Sequence, residues 1–419
     1  MNAGLVVRNI GELWTTHHLP PVRGAAMNDV TVLKDAFIAV NNGLIVGFGS
    51  GSGDAFVGPV TEIRDACRMV LTPGLVDGHT HLVHAGSREH EFALKLQGVP
   101  YLEILKRGGG ILSTVAATRA ASFDELYDQA RKSLQRMLAF GVTTVEAKSG
   151  YGLEPKSERK ILKVIEKLNE TQAVTLIPTA MGAHAIPAEY AFDREGYVAT
   201  VLADLETIRL DGLAESVDVF CEAGVFTVSE TKRILMRAKE LGFAIRVHAD
   251  EIVSTGGAGL AAELGCASAD HLMAINDKDI LALAGSDTVA NLLPGTSFYL
   301  GHEYAPARRL IAANIAVGIA SDYNPGSCPS ENFQFTLQLA ANQMKMTPSE
   351  VLTAATINPG YHLGKSDRIG SIAIGKDADF VLFDAPNFDY VLYHFGVNLV
   401  ADVYKKGRRV IADGRLVKE

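Results

Sequence analysis

Cysteine is scarce and unpaired in this sequence: Cys67, Cys221, Cys266 and Cys328 are its four cysteines, and none is spaced with another. That spacing argues against a disulfide framework and against a cysteine-based zinc site, and leaves reduced thiols as the expectation. A basic stripe is missing as well. The formal net charge is -9, and without clustered Lys and Arg nothing displaces counterions from phosphates, so nucleic acid and anionic membrane are poor partners. No stretch reaches the roughly 18 uninterrupted apolar residues of a membrane helix. Met1–Val7 lack a basic start followed by a long apolar core, so no export signal is expected and a cytoplasmic protein is. Short-period repeats and low-complexity segments are also lacking.

What is present is a long globular chain: 419 residues, 47% hydrophobic and 21% charged. That length accommodates a large barrel plus a satellite. From Gly4 to about Ser50, short β-type runs alternate with turns, as in Ala36–Val40, Asn41-Asn42-Gly43 and Leu44–Phe48. The same texture returns after about Asp367, in Gly370–Phe383 and Val403–Ile411. Neither end has enough strands to close a core alone, so the two are expected to join in one small, discontinuous β-sandwich of residues 1–68 and 367–419. Residues 69–366 between them read as strand, loop and helix, repeated. Candidate strands are Val70–His81, Thr143–Lys148, Val174–His184, Ser216–Glu222, Ala244–Glu251, Ala267–Leu272, Thr288–Pro294 and Val317–Asp322. Helical periodicity separates them at Phe123–Phe140, Ser157–Asn169, Arg194–Leu210 and Val228–Leu241. Eight strands alternating with helices predict an α/β protein built on a (β/α)₈ barrel, whose chemistry sits at the C-terminal ends of the strands.

Those ends carry the metal-ligand residue types. The first candidate strand runs Leu71-Thr72-Pro73-Gly74-Leu75-Val76-Asp77-Gly78-His79-Thr80-His81. With a side-chain period of two, both imidazoles point the same way. The fifth ends Val247-His248-Ala249-Asp250-Glu251, the sixth Ala269-Asp270-His271 and the eighth Ala320-Ser321-Asp322. His248 taken alone reads equally as a satisfied core histidine, and Asp322 as a helix cap. Taken together, three imidazoles and a carboxylate make an N₃O donor set for zinc or iron, with a position left for water.

The combination of Pro73-Gly74, Asp77-Gly78-His79-Thr80-His81, His248, His271 and Asp322, in that order, resembles the amidohydrolase superfamily over nearly the whole chain. Gly370–Asp379 is similar to that superfamily's C-terminal hairpin. Its two-metal members carry a bridging lysine at the end of the fourth strand; here that strand ends Val219-Phe220-Cys221-Glu222, so the resemblance implies one metal ion per chain, divalent or trivalent. Lys148, ending the second strand, would return as the bridge only if the strand count were off by one. Glu146–Leu153, Gly182–Pro187, Ser321–Ser327 and Gly86–Glu89 narrow the resemblance to the superfamily's ring-opening hydrolases of histidine breakdown. What that family implies is hydrolysis of a C–N bond in a cyclic amide, 4-imidazolone-5-propanoate, to N-formimidoyl-L-glutamate, by a homodimer.

The resemblance assigns roles as well. His79, His81, His248 and Asp322 hold the metal. Asp322, Glu251 and His271 are the catalytic residues, moving protons or stabilising the oxyanion. Arg88 clamps the tail carboxylate bidentately. Tyr151, His184, Asn324, Gly326 and Ser327 complete the substrate contacts. Read without the family, Glu251 is equally a surface loop acid, and Arg88 and Tyr151 are rim residues. The remaining histidines, among them His84, His302 and His362, receive no role. Gly108-Gly109-Gly110 lacks the strand before and the Lys-Ser/Thr after that a phosphate loop needs, and reads as a lid or turn at the mouth. Two rivals stand beside this reading: a mononuclear aminohydrolase similar to cytosine deaminase, suggested by His248-Ala249-Asp250-Glu251, and a catalytically dead scaffold, which would typically have lost ligands.

Overall fold

The computed structural model describes residues 2–99, 103 and 109–417. Its strands fall into three groups along the chain. First come β1 (Leu5–Thr15), β2 (Thr31–Asn41), β3 (Leu44–Ser50), β4 (Glu62–Asp65) and β5 (Val70–Pro73). The second group is β6 (Leu75–Thr80), β7 (Val142–Lys148), β8 (Thr175–Ala183), β9 (Ser216–Cys221), β10 (Ala244–Ala249), β11 (Ser268–His271), β12 (Val289–Leu292) and β13 (Val317–Ile319). The third is β14 (Phe380–Phe383), β15 (Val400–Lys405), β16 (Arg408–Ala412) and β17 (Arg415–Leu416).

The terminal groups join in one mixed sheet, ordered β17-β16-β15-β14-β5-β1-β2-β3, with β4 also on β1. Strand β5 is the seam, antiparallel to β14 and parallel to β1. Leu5, Val7, Ile38 and Ile45 from the start of the chain bury with Phe380, Leu382 and Tyr404 from its end in one apolar cluster. Each half covers apolar surface that the other would leave wet. The continuous run predicted from Val70 to His81 therefore divides at Gly74: β5 belongs to the small sheet and β6 to the barrel. A Cβ on Gly74 would collide with the Thr143 side chain, so the crossing between the two sheets is made where only hydrogen fits.

Strands β6 to β13 pair in chain order, all parallel, with helices between them. The ring closes through a bridge between Thr80 and Tyr323. There the Asp322 N–H donates to the His79 carbonyl at 3.1 Å and the His81 N–H to the Tyr323 carbonyl at 2.9 Å. The seam of the barrel is thus stitched by the backbone of three residues that carry candidate ligands. Most predicted strands overshoot their C-terminal ends, because residues such as Glu222, Glu251 and Asp322 have left the ladder for the mouth. The helices begin where polar caps satisfy their first N–H groups: Ser122 with Glu125, Thr227 with Glu230, and Thr347 with Glu350 form reciprocal capping boxes. Of the triple glycine, Gly108 lies outside the described residues. Gly110 precedes the helix Ile111–Ala120 with φ of 80°, a conformation that suits a residue without Cβ.

A barrel interior is ordinarily filled by branched apolar side chains. Here alternate positions on the strands bury Glu146, Lys148, Asp218, Arg246 and Asp270 instead. Such groups are tolerated inside only when they satisfy one another. Lys148 Nζ lies 2.8 Å from both Glu146 Oε1 and Asp218 Oδ2. Arg246 donates to Ser216, Ser268 and the His362 carbonyl.

Candidate metal centre and active-site cavity

Strand β6 presents His79 to the mouth and the residue after its end is His81, β10 presents His248, and the turn after β13 presents Asp322. All four are buried. His81 Nε2 stands 3.4 Å from His248 Nε2, and Asp322 Oδ1 stands 3.6 Å from His79 Nε2 and 3.7 Å from His81 Nε2. Donors about 2.0–2.2 Å from one ion are about 3.3–3.6 Å apart at tetrahedral angles, which these three spacings approach; the donor atoms gather as two triads sharing His79, one with His81 and His248 and one with His271 and Asp322. His79 Nε2 has no hydrogen-bond partner among the described residues, which is costly for a buried nitrogen unless it meets a metal. The residues present therefore fit a metal ion.

Three of the four candidate ligands are backed by a further residue, while His81 Nδ1 has no hydrogen-bond partner among the described residues. His79 Nδ1 lies 2.8 Å from Asp270 Oδ2 and His248 Nδ1 lies 3.0 Å from Asp218 Oδ2. A carboxylate on Nδ1–H leaves the lone pair on Nε2, where a metal needs it. The Thr296 hydroxyl donates to Asp322 Oδ2 at 2.5 Å while Oδ1 faces the histidines. At or just past the strand ends, Asp250, His271 and Asp322 have φ of 50°, 79° and 56°, sparsely populated for residues with a Cβ.

Lys148 lies beneath this centre and bridges nothing above it. Its ammonium sits among Asp218, Glu146 and Asp270, the last at 3.9 Å. Burial alone would push the ammonium down, but these three carboxylates outweigh it and hold it above the ordinary lysine range. Asp218, burdened by burial but relieved by His248 and Lys148, is held well below the usual carboxylate range. Asp270, farther from the ammonium, is pushed by burial up to about 6. Strand β9 ends without a lysine, as read from the sequence.

Above the ligands opens a cavity of about 660 Å³, lined by Arg88, Tyr151, His184, Glu251, His271, Asn324, Gly326 and Ser327. Every residue predicted for substrate or proton chemistry is therefore brought to one space. Burial, then the charge of Asp322, raises the Glu251 carboxyl to about 8, and burial raises Asp322 to about 6. Burial keeps the His271 imidazole well below its usual range, and the neighbouring His248 adds to that. Glu251 Oε2 and His271 Nε2 are 3.7 Å apart. His184 stacks on His81 with ring centroids 4.7 Å apart, and burial lowers it to about 3. Asn324 accepts from the Gly326 and Ser327 N–H groups at 2.8 Å, which shapes the turn.

Sequence reasoning passed over Asp218, Asp270 and Thr296. The first two were findable, since each is an acid inside an otherwise apolar strand: Val217-Asp218-Val219 and Ala267-Ser268-Ala269-Asp270. Thr296 carried no such signal. His302, left without a role, also lines the cavity.

The Amidohydrolase family model matches residues 70–417, and the chain belongs to that family: a (β/α)₈ barrel with a histidine and aspartate cluster at its mouth. Among curated proteins, imidazolonepropionase of Fusobacterium nucleatum is 52% identical over 412 residues, 98% of this chain and 99% of that protein. Imidazolonepropionase of Streptococcus pyogenes serotype M6 is 50% identical over 400 residues, 95% of each. Within the amidohydrolases, then, the chain falls in the imidazolonepropionase family. Solved structures share the fold at lower identity. An adenosine deaminase from Xanthomonas campestris with bound zinc superposes with a TM-score of 0.72 at 20% identity, covering 100% of this chain and 95% of that one. Escherichia coli guanine deaminase gives 0.74 at 16%, covering 97% and 98%.

Proposed function

We propose that this chain is the hydrolase that opens 4-imidazolone-5-propanoate to N-formimidoyl-L-glutamate in histidine degradation. The observation that carries the reading is the single cavity in which an N₃O donor set and Arg88 face each other, in a chain about half identical to imidazolonepropionases over nearly its whole length. A cytosine-deaminase-like activity is not favoured, because a pyrimidine has no tail carboxylate for Arg88 to hold.

His79, His81, His248 and Asp322 would hold one zinc or iron ion per chain, and the donor set suits either. A cation bound there polarises the ring carbonyl and lowers the pKa of a water. Asp322, with Oδ2 tied to Thr296, accepts the proton that water loses. The water oxygen adds to the ring carbonyl carbon, the C–N bond breaks, and the ring nitrogen needs a proton. Glu251 supplies it: a carboxyl raised to about 8 is still protonated at neutral pH. His271, neutral and buried, hydrogen-bonds the oxyanion. Tyr151, His184, Asn324, Gly326 and Ser327 position ring and tail, with Arg88 on the tail carboxylate.

We read the chain as a discontinuous small domain around a barrel, with the boundaries expected at 68/69 and 366/367 and the first of them moved to Gly74 because β5 lies in the small sheet, and as a homodimer in the cytoplasm. Four free cysteines agree with a reducing compartment, and no helix among the described residues is long and apolar enough to cross a membrane. Metal analysis with turnover of imidazolonepropanoate, followed as loss of its absorbance and formation of N-formimidoyl-glutamate, tests the reading. Release of ammonia from cytosine without that loss would overturn it.

A further inference from the structure

Arg88 does not stand alone in the cavity. The guanidinium has two usable edges, and Nε and Nη2 both donate to one oxygen, Glu91 Oε2, at 3.0 and 2.8 Å. Glu91 is buried, with its side chain 1% exposed against 12% for Arg88. Its other oxygen accepts from the Gly110 N–H at 2.8 Å and the Ser113 hydroxyl at 3.4 Å. Two elements therefore fix this carboxylate: the helix Glu89–Leu96 that bears it and the start of the helix Ile111–Ala120. At the far end of the guanidinium, Nη1 lies beside Gly326, where a Cβ would collide with it.

We infer that Glu91 is the positioning residue that sets specificity for a carboxylate-tailed substrate: by taking the side edge of Arg88, it turns the Nη1–Nη2 fork toward the cavity beside Gly326. A guanidinium binds a carboxylate best through two parallel N–H groups. A freely rotating arginine would lose side-chain entropy on binding the tail, and one held by a buried acid has already lost it. The inference rests on the proposed function and adds a residue that touches neither ring nor tail.

The test compares 4-imidazolone-5-propanoate with its 5-methyl analogue, which has the ring and no carboxylate, on the metal-loaded enzyme. For Glu91→Gln, which keeps size and replaces one acceptor oxygen by an amide, KM for the tailed substrate rises at least about tenfold. The ratio of kcat/KM between tailed and tailless substrates falls by a similar factor, and Glu91→Asp restores part of it. A purely structural role would lower both substrates alike and leave the ratio unchanged; that result overturns the inference. Should Glu91→Ala fail to fold, the Gln and Asp variants still decide. Failure of the functional reading looks different, since the unaltered enzyme would then not turn over imidazolonepropanoate at all.

Discussion

Replacing Asp270 by Asn should loosen the metal centre without touching a ligand. Asp270 Oδ2 lies 2.8 Å from His79 Nδ1, and neither side chain has any exposed surface, so water cannot take the lost partner's place. An ionised acceptor makes this bond worth about 1.5–3 kcal/mol. The Asn amide can meet Nδ1 through either its oxygen or its NH₂. The second choice puts the ring proton on Nε2 and removes that nitrogen as a ligand. Loss of a carboxylate behind a metal-binding histidine typically costs 10–100-fold in metal affinity, or about 1.4–2.8 kcal/mol at 1.4 kcal/mol per decade. The two routes to the magnitude agree. Competition against a chelator of known affinity, with bound metal counted by atomic absorption and the melting temperature of the metal-free protein as a control, measures it. Asp218→Asn should behave alike through His248, and the double variant should be non-additive, because Lys148 joins the two carboxylates. An affinity within about twofold of the parent for both single variants, with the fold intact, would refute the reasoning.

Alanine at His79, His81, His248 or Asp322 should abolish turnover and metal content together; full turnover by a metal-free variant would sink the mechanism. Gly326→Ala should displace Arg88 and raise KM at least about tenfold for the tailed substrate while stoichiometric metal is retained, as steady-state kinetics with metal analysis would reveal. Burial lowers His84 to about 4, although the His81 carbonyl on its Nδ1 opposes this. The folded state therefore resists protonation that the unfolded chain accepts. The resulting stability is fully present above about 6.5 and is lost as pH falls toward about 4, on the order of 3 kcal/mol. Urea unfolding at several pH values should show that slope, and His84→Asn should flatten it; an unchanged slope would count against the argument.

The tail of the barrel's first strand shows what local pattern can and cannot carry. Val70–His81 reads as one strand because apolar and β-branched residues flank Pro73-Gly74 on both sides, and although that pair marks a break, nothing local says that the stretch before it pairs with β14, whose residues lie some three hundred positions away. Register between remote strands depends on which apolar faces meet after folding.

The sequence by itself determined the eight-strand alternation, the two terminal β segments, and the order His79, His81, His248, His271, Asp322 at strand ends, because period-two and period-3.6 patterns and residue chemistry are local properties. It also held Arg88, Glu251, Tyr151 and Asn324 as candidates, though only a family likeness lent them roles. Tertiary structure alone decided that Asp218 and Asp270 stand behind His248 and His79, that Lys148 is locked among carboxylates below the metal position, and that Glu91 holds one edge of Arg88. Each is a contact between side chains that only barrel closure or helix docking brings within hydrogen-bond range, and a charge acquires its partner, and with it its function, only when burial removes water as the alternative.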